Sequence, residues 1–378
     1  MKRVVLLKSQ VECQGGLEKY AGRIAKGFVE KGAQVTILTT PPPSSPSTDP
    51  HIEFHGVKTI PWPAFVRMEQ YDGFVRKWLK NNPADIVFGM DRNREQTHIR
   101  AGNGVHSAYL ESRILTEGYL KHLLCLYNPL HRKILQLEKA AFENPRLKKL
   151  FTNSFMVRRQ ILDRYIIDPD KIVVIHNGVE WYEMERDFSH WSQERKLFLH
   201  RHQLDPSVFH FLFIGNGYLR KGLDKLLEGL SALSDKKFHL SVVGKDNNQA
   251  KYQAKSERLG IGKQVRFFGQ QKDIRPFYQL ADVLVIPSFY DPFANVTVEA
   301  LAMGLHVVSS SFNGGSEILT PQNGSIIENL LERDSIVSSL NRSMTFKKTE
   351  NSALASRLSV KHLDFSLQMN TLIEASLG

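Results

Sequence analysis

A glycine-rich segment with two adjacent cations, residues 215–222, is the strongest candidate for chemistry in the sequence. It reads GNGYLRKG and joins a predicted strand to a predicted helix. Backbone amides at a helix N-terminus favour an anion, and a glycine-rich turn lets that anion approach closely. Arg220 and Lys221 would then suit a diphosphate. Two other interpretations are a plain helix cap and a dinucleotide site, although Arg220 stands where the dinucleotide fingerprint has its third glycine.

Two carboxylates eight residues apart form a second cluster. Asp291 follows a predicted strand that ends near Pro287, and Glu299 lies on the helix that comes next. Carboxylates that accept hydrogen bonds from neighbouring hydroxyls suit a sugar or a ribose. The pattern favours a sugar site, and an exposed turn before an amphipathic helix is the alternative.

A histidine and an Asp-x-Asp triplet raise the questions of a catalytic base and of a metal ion. His106 follows a predicted strand in the first half of the chain, where a loop histidine is either structural or part of a site. The only Asp-x-Asp is Asp168-Pro169-Asp170, and turn and cap chemistry explain it fully. Because two cations and a helix terminus can neutralise a diphosphate, we expect activity without a metal.

Two cycles of alternating strands and helices must position these side chains. The first cycle has a strand at 4–7, a glycine turn at 14–16, a helix, a strand at 35–39 and a Pro/Ser-rich loop at 41–50, then strands near 85–88, 99–101, 150–153 and 172–175. The second has strands at 209–214, 238–243, 265–268, 283–287 and 306–309, with helices beginning near Leu223, Gln249, Ile274, Val296 and Ser316. Apolar strands between amphipathic helices indicate parallel sheets covered on both faces. We therefore predict an α/β protein with two Rossmann-like doubly wound domains facing across a cleft, where ligands bind at the carboxyl ends of the strands.

Length and composition fit this organisation. The chain has 378 residues, 42% hydrophobic and 24% charged, which favours two globular domains and excludes disordered, collagenous and disulfide-stapled proteins. Only two cysteines occur, Cys13 and Cys125, and no apolar run reaches the length of a membrane span or a signal-peptide core. These features predict a cytoplasmic protein.

The net charge of +11 is concentrated in the first half of the chain. Residues 1–176 carry 27 basic and 17 acidic side chains, against 23 and 22 in residues 177–378. Within residues 113–149, eight basic side chains accompany three acidic ones, and one helical face presents Tyr119, Leu120, Leu123, Leu124 and Tyr127. This pattern favours a helix lying on an anionic membrane, and a core-packed helix with a solvated basic edge fits the periodicity equally well. Nucleic acid is not expected, because no base-stacking set, helix-turn-helix or zinc spacing accompanies the cations.

Seven segments in register resemble family 4 glycosyltransferases with the GT-B fold, and most of all the lipopolysaccharide core glucosyltransferases that act on heptose. They are GGL at 15–17, NGV at 177–179, RKG at 220–222, VVGKD at 242–246, VRFFG at 265–269, ADVL at 281–284 and DPFANVTVE at 291–299. The resemblance is strong from residue 151 onward and weak over 41–100. It implies a hexosyltransferase that retains anomeric configuration.

The resemblance also implies roles for individual residues. Arg220 and Lys221 would hold the donor diphosphate, Glu299 the ribose hydroxyls, and Asp291, where the family usually has Glu, the transferred hexose. His106 would lie beside that hexose as a base or a positioning group. The other donor-binding positions would be Gly15, Gly16, Gly215, Lys245, Gln271, Phe293, Ala294 and Asn295.

The resemblance divides the chain into an acceptor-binding domain at 1–176 and a nucleotide-sugar domain at 177–353, with residues 354–378 packing back on the first. We expect transfer of a hexose, glucose from UDP-glucose, to a lipopolysaccharide core or another lipid-linked acceptor at the cytoplasmic face of the inner membrane. No cofactor is expected besides the nucleotide-sugar co-substrate. A nucleotide-sugar epimerase, a phosphorylase and a non-catalytic nucleotide-sugar-binding module are the alternatives.

Overall fold

The chain forms two compact units. The structure, a computed structural model, describes residues 1–9, 16–40 and 49–378, with side chains from residue 20 onward in the second range. Gly15 and residues 41–48 of the predicted loop therefore lie outside the described residues. The first unit comprises Met1–His176 and Gln368–Gly378, and the second comprises Asn177–Leu367.

A seven-stranded parallel sheet forms the centre of the first unit. Its strands are β1 (Arg3–Leu7), β2 (Gln34–Thr39), β3 (Ile52–Gly56), β4 (Ile86–Gly89), β5 (His98–Arg100), β6 (Lys149–Thr152) and β7 (Ile172–Val174), in the spatial order β3-β2-β1-β4-β5-β6-β7. β1 pairs with β2 and β4 and is buried from its second residue onward. A strand covered on both faces needs an unbroken apolar run, which Val4 to Leu7 supply.

Helices α1 to α7 belong to the first unit. They are α1 (Gly16–Glu30), α2 (Ala64–Asn81), α3 (His106–Ser112), α4 (Ile114–Glu117), α5 (Tyr119–Tyr127), α6 (Pro129–Phe142) and α7 (Phe155–Leu162). Asn128 and Pro129 mark the boundary between α5 and α6. The Asn128 side chain caps α6 by accepting from the Leu130 amide, and proline occupies the first turn, where no amide is needed. Among the described residues, no helix is both long and apolar enough to span a bilayer.

A six-stranded parallel sheet forms the second unit, and both of its faces are covered. The strands are β8 (Phe209–Ile214), β9 (Phe238–Val243), β10 (Val265–Gly269), β11 (Val283–Ile286), β12 (His306–Ser310) and β13 (Gly324–Ile327), in the order β10-β9-β8-β11-β12-β13. Along β8, Leu212 and Ile214 join one hydrophobic cluster, and Phe211 and Phe213 join another. Successive side chains of a strand face opposite ways, so this sheet separates two cores. The two sheets confirm the predicted pair of parallel α/β units.

The helices of the second unit surround this sheet. They are α8 (Glu185–Ser189), α9 (Trp191–His202), α10 (Leu223–Ser231), α11 (Gln249–Arg258), α12 (Arg275–Leu280), α13 (Asn295–Ala302), α14 (Arg333–Ser343) and α15 (Glu350–Ser359). The helix predicted near Ser316 is a short 3-10 helix, Gly314–Ile318. Its two glycines and the capping Asn313 favour a tight turn over a regular helix.

The last helix, α16 (Phe365–Leu377), contributes residues to both units. Residues 354–367, predicted to pack on the first domain, group with the second unit, because α15 packs against α13 there. The final eleven residues group with the first unit. A Cβ added at Gly27 would lie 3.1 Å from the Ile373 side chain, so α1 and α16 approach closely at this glycine.

Candidate functional site

The turn between β8 and α10 places two cations at the carboxyl end of the second sheet. Gly217 and Gly222 adopt positive φ angles of 71° and 75°, which glycine reaches without a steric penalty. Gly222 is the N-cap of α10, so Arg220 and Lys221 come directly before that helix. The turn is held from the β9 side, where the Tyr218 amide donates to Asp246 Oδ2 (2.7 Å).

Both cations meet the carboxylate of Asp291. Lys221 Nζ lies 2.5 Å and Arg220 Nη1 lies 3.5 Å from Asp291 Oδ2, and Arg220 also donates to the Tyr290 carbonyl (2.8 Å). The side chains of Lys221 and Asp291 are only 12% and 11% exposed, whereas Arg220 is 39% exposed. The structure thus brings Asp291 together with Arg220 and Lys221, which lie about 70 positions earlier in the sequence.

The loop between β11 and α13 is held by Asn313. This fully buried residue accepts from the Ala294 and Gly315 amides (both 3.0 Å) and donates to the hydroxyls of Thr297 (3.2 Å) and Ser309 (2.9 Å). Ala294 is one of the predicted donor-binding positions, and its amide donates to Asn313 in this structure. Sequence reasoning missed Asn313, and the signal that was available is the Asn-Gly-Gly turn sequence that it begins.

The two neighbours of Ala294 in this loop, Phe293 and Asn295, are also predicted to bind the donor. Phe293 is buried. Asn295 is exposed, begins α13 and accepts a hydrogen bond from the Asn177 side chain (2.7 Å). The first-turn amides of a helix have no intrahelical acceptor, so this end of α13 is suited to an anion.

Glu299 lies on α13 and is half-buried. Burial raises the pKa of its carboxyl group, and the hydrogen bond from Tyr278 opposes that rise. Tyr278 on α12 is fully buried, and its hydroxyl donates to Glu299 Oε2 over 2.7 Å. Tyr278 is a second residue that sequence reasoning missed, because nothing in the local pattern separates it from an ordinary core aromatic.

The other predicted donor residues lie at the surface or in turns. Lys245 is exposed, and its amide donates to Asn216 Oδ1 (2.7 Å). Gln271 is exposed, and its side chain donates to the Phe268 carbonyl (2.6 Å). A Cβ at Gly215 would lie 3.0 Å from the Lys221 stem, so this glycine leaves room for the lysine. Gly16 is the first described residue of α1, in the first unit.

His106 begins α3 in the first unit. Its amide donates to the fully buried carboxylate of Glu138 (3.0 Å), and its Nε2 lies 3.1 Å from Nδ1 of His131. Burial, with smaller contributions from Arg92, His131 and Arg113, lowers the pKa of His106 to about 4. The imidazole is therefore neutral at pH 7, which suits a hydrogen bond to a hydroxyl.

The Asp-x-Asp triplet forms a cap. Asp168 Oδ1 accepts from the Asp170 amide (3.0 Å) at the start of a short 3-10 helix, Pro169–Lys171. Within the described ranges, no group of three or more His, Cys, Asp or Glu side chains is arranged to hold a metal ion.

Replacing Gly222 with alanine should lower the free energy of unfolding by more than about 2 kcal/mol. Its φ of +75° penalises a side chain by about 1–2 kcal/mol, and the new Cβ would lie 1.8 Å from the Pro287 carbonyl oxygen. Urea unfolding measures the change. Gly73→Ala on α2 is the matched control, since a Cβ there meets nothing within 4 Å and should stabilise slightly. Equal stability of the two variants would contradict the described turn.

Two family models match the chain in tandem. The model of the glycosyltransferase family 4 domain matches residues 14–180, and the model of the group 1 glycosyl transferases matches residues 195–353. The first match lies over the first unit and the second lies within the second unit. Together they account for most of the sequence.

Individual proteins agree with these models. The lipopolysaccharide glucosyltransferase WaaG of Escherichia coli K12 is 25% identical over 345 residues, covering 88% of this chain and 86% of WaaG. A crystal structure of WaaG covers 99% of this chain and 100% of its own, with 21% identity and a TM-score of 0.76. The Anabaena protein HepE, solved with UDP-glucose, covers 100% of this chain and 99% of its own, with 16% identity and a TM-score of 0.67. The chain is therefore a glycosyltransferase of the GT-B fold, belonging to the family that joins a family 4 domain to a group 1 domain.

Proposed function

We propose that the protein transfers glucose from UDP-glucose to a lipopolysaccharide core or another lipid-linked glycan, with retention of configuration and without a metal ion. The likeness to WaaG, which extends over 88% of this chain, supports the acceptor class. The HepE complex with UDP-glucose supports the donor class. The second unit would bind the nucleotide-sugar, the first unit would bind the acceptor, and no further cofactor is needed.

The main support for this proposal is the pair of ion pairs that Arg220 and Lys221 make with Asp291. Two cations and the start of α10 stand at the carboxyl ends of β8 and β11, where parallel α/β sheets bind their ligands. When the bond to the sugar breaks, the electron pair stays on the phosphate oxygen, so the leaving nucleoside diphosphate gains one negative charge until it takes the acceptor proton. Cations fixed in advance stabilise that charge as it develops, which is the role a divalent ion has in other transferases.

The remaining residues would hold the sugar nucleotide and guide the acceptor. Glu299 would accept hydrogen bonds from the ribose hydroxyls, and Asp291 and the neutral His106 would contact the hexose. In the transfer, the bond between the anomeric carbon and the phosphate oxygen breaks while the acceptor oxygen attacks from the same face. The departing phosphate takes the acceptor proton, so no separate base is required.

The other predicted donor contacts belong to the same proposal. They are Gly15, Gly16, Gly215, Lys245, Gln271, Phe293, Ala294 and Asn295. Of these, Gly15 lies outside the described residues, and the Ala294 amide would have to leave Asn313 before it could bind a ligand.

The exposed face of α5 is proposed as the surface that docks on the anionic cytoplasmic leaflet of the inner membrane. None of the nine residues of α5 is buried, and Leu120, Leu124 and Tyr127 are 79%, 70% and 77% exposed. A core-packed helix would bury these side chains, so the exposure favours the interfacial interpretation. The cations beside them, Lys121 and Arg132, are exposed as well.

Several cations of residues 113–149 are already neutralised by carboxylates. Arg113 pairs with Glu117, Lys133 with Glu69, Lys139 with Glu143, and Arg146 with Glu95. Lys121 and Arg132 make no ion pair with another described residue. The attraction to an anionic surface therefore depends on fewer charges than the sequence count implies, at about 1 kcal/mol for each.

Transfer of labelled hexose tests the activity. We expect the purified protein to move glucose from UDP-glucose to a lipid-linked core oligosaccharide. ADP-glucose, GDP-mannose and UDP-galactose are tested as alternative donors and should be used less well. The rate should be unchanged in EDTA, because Arg220 and Lys221 would supply the charge that a metal would otherwise provide. The anomeric configuration of the product, read by NMR, should match that of the donor.

Other outcomes of this assay would overturn the proposal. A requirement for orthophosphate would indicate a phosphorylase, and a changed sugar without an acceptor would indicate an epimerase. Nucleotide binding without release of the nucleoside diphosphate would indicate a binding module. Loss of turnover in EDTA, restored by Mg²⁺ or Mn²⁺, would contradict metal independence.

A further inference from the structure

Tyr278 holds one oxygen of the carboxylate that we assign to the donor ribose. The phenol of Tyr278 is 1% exposed, and its hydroxyl donates to Glu299 Oε2 over 2.7 Å. The partly exposed Glu299 makes no hydrogen bond through Oε1 to another described residue. Among the described residues, one carboxylate oxygen therefore has a hydrogen-bond donor inside the protein, and the other has none.

Tyr278 is itself fixed from its main-chain side. The buried Lys348 Nζ donates to the Tyr278 carbonyl (3.0 Å), and the Lys348 amide donates to Asp282 Oδ1 (3.1 Å). Asp282 in turn forms a two-pronged ion pair with Arg195 (2.9 and 3.1 Å). The main chain of Tyr278 thus belongs to a buried polar network, which fixes the backbone that carries the phenol.

We infer that Tyr278 is a positioning residue for donor binding, which orients the Glu299 carboxylate so that its second oxygen accepts the ribose hydroxyls. The inference rests on the proposed role of Glu299. A charge-assisted hydrogen bond is stronger than a neutral one, so its loss frees the carboxylate to rotate and leaves a buried oxygen without a donor.

UDP alone is the probe, with its dissociation constant measured by calorimetry. Tyr278→Phe should weaken UDP binding about tenfold, the effect expected from one lost hydrogen bond to a charged group. Tyr71→Phe is the matched control, since Tyr71 is also buried and its hydroxyl also donates over 2.7 Å, but to the Leu38 carbonyl in the first unit. That variant should bind UDP as the wild type does.

A double-mutant cycle separates this inference from the function on which it rests. If Tyr278 acts through Glu299, Tyr278→Phe should have little effect when Glu299→Ala is already present. If Glu299→Ala leaves UDP affinity unchanged, the proposed ribose contact is wrong. If Glu299→Ala weakens binding but Tyr278→Phe does not, or if the two effects simply add, the positioning role is wrong.

The pH dependence of UDP affinity gives a second test, because a purely structural role of Tyr278 would leave it unchanged. The hydrogen bond from Tyr278 lowers the pKa of Glu299, against the rise caused by burial. Its removal should raise that pKa, so UDP affinity should begin to fall at a higher pH as the solution is acidified. If the UDP affinity of Tyr278→Phe begins to fall at the same pH as that of the wild type, the inference is wrong.

Discussion

Replacing Lys221 with alanine should reduce hexose transfer about 10³-fold while the protein stays folded. Two unit charges 4 Å apart interact with about 4 kcal/mol at an effective dielectric constant of 20, and each 1.4 kcal/mol is a factor of ten in rate. Lys221 is only 12% exposed, so solvent screens it little. Its removal also takes away one of the two cations that pair with Asp291 among the described residues and leaves Arg220, 3.5 Å away. The negative charge of Asp291 is then less neutralised and repels the diphosphate.

Steady-state kinetics with UDP-glucose measure this loss, and thermal unfolding reports the fold. Lys255→Ala is the matched control, because Lys255 also forms short ion pairs, 2.5 Å to Asp224 and 2.6 Å to Glu228, in the same unit but on α11. This variant should lose a comparable ion pair and keep its activity. Wild-type turnover in Lys221→Ala would overturn the assignment of the diphosphate site.

Replacing Leu120 and Leu124 together with aspartate should weaken binding to anionic vesicles about 100-fold. Burying a leucine side chain contributes about 1.5–3 kcal/mol, and 1.4 kcal/mol corresponds to a tenfold change in affinity. Both side chains are more than two thirds exposed, so the change costs the fold little. Flotation with vesicles of phosphatidylethanolamine and phosphatidylglycerol provides the measurement.

Leu354 and Leu358 offer a control with the same spacing. They lie four residues apart on α15 in the second unit and are 48% and 50% exposed. The double aspartate variant at these positions should float with anionic vesicles as the wild type does. If the wild type floats equally with neutral and anionic vesicles, the proposal that α5 docks on an anionic membrane is wrong.

The central strands and the edge strands β7 and β10 were predictable from the sequence, whereas the edge strands β3 and β13 were not. β8 and β9 are buried along their whole length, so their apolar runs mark them at the observed boundaries. Within the described ranges β3 pairs with β2 alone, and its sequence IEFHG stays partly exposed. β13, at an edge of the second sheet, is short and begins with glycine and serine. β3 and β13 lack a continuous apolar run, which removes the signal that periodicity detects.

The candidate site was predicted residue by residue but not as an arrangement. Lys221 and Asp291 each carry a local signal, whereas their ion pair depends on β11 lying next to β8. That adjacency follows from the strand order, in which the chain passes from β10 at one edge back to β11 beside β8. The charge of residues 113–149 was counted correctly, but Glu69 and Glu95, which neutralise two of its cations, lie outside that stretch.

Residues 368–378 can join the first unit only after the second unit has been synthesised. Lys31 pairs with Glu374 (2.9 Å), the Lys2 ammonium donates to the Leu377 carbonyl (2.6 Å), and Gly27 gives Ile373 room against α1. The second unit, a continuous stretch of sequence, lies between these partners. At about 5–20 residues per second, a ribosome needs about 10–40 s to make that stretch. Throughout that interval the nascent first unit has its α1 surface uncovered, and the second unit can fold before the first one is finished.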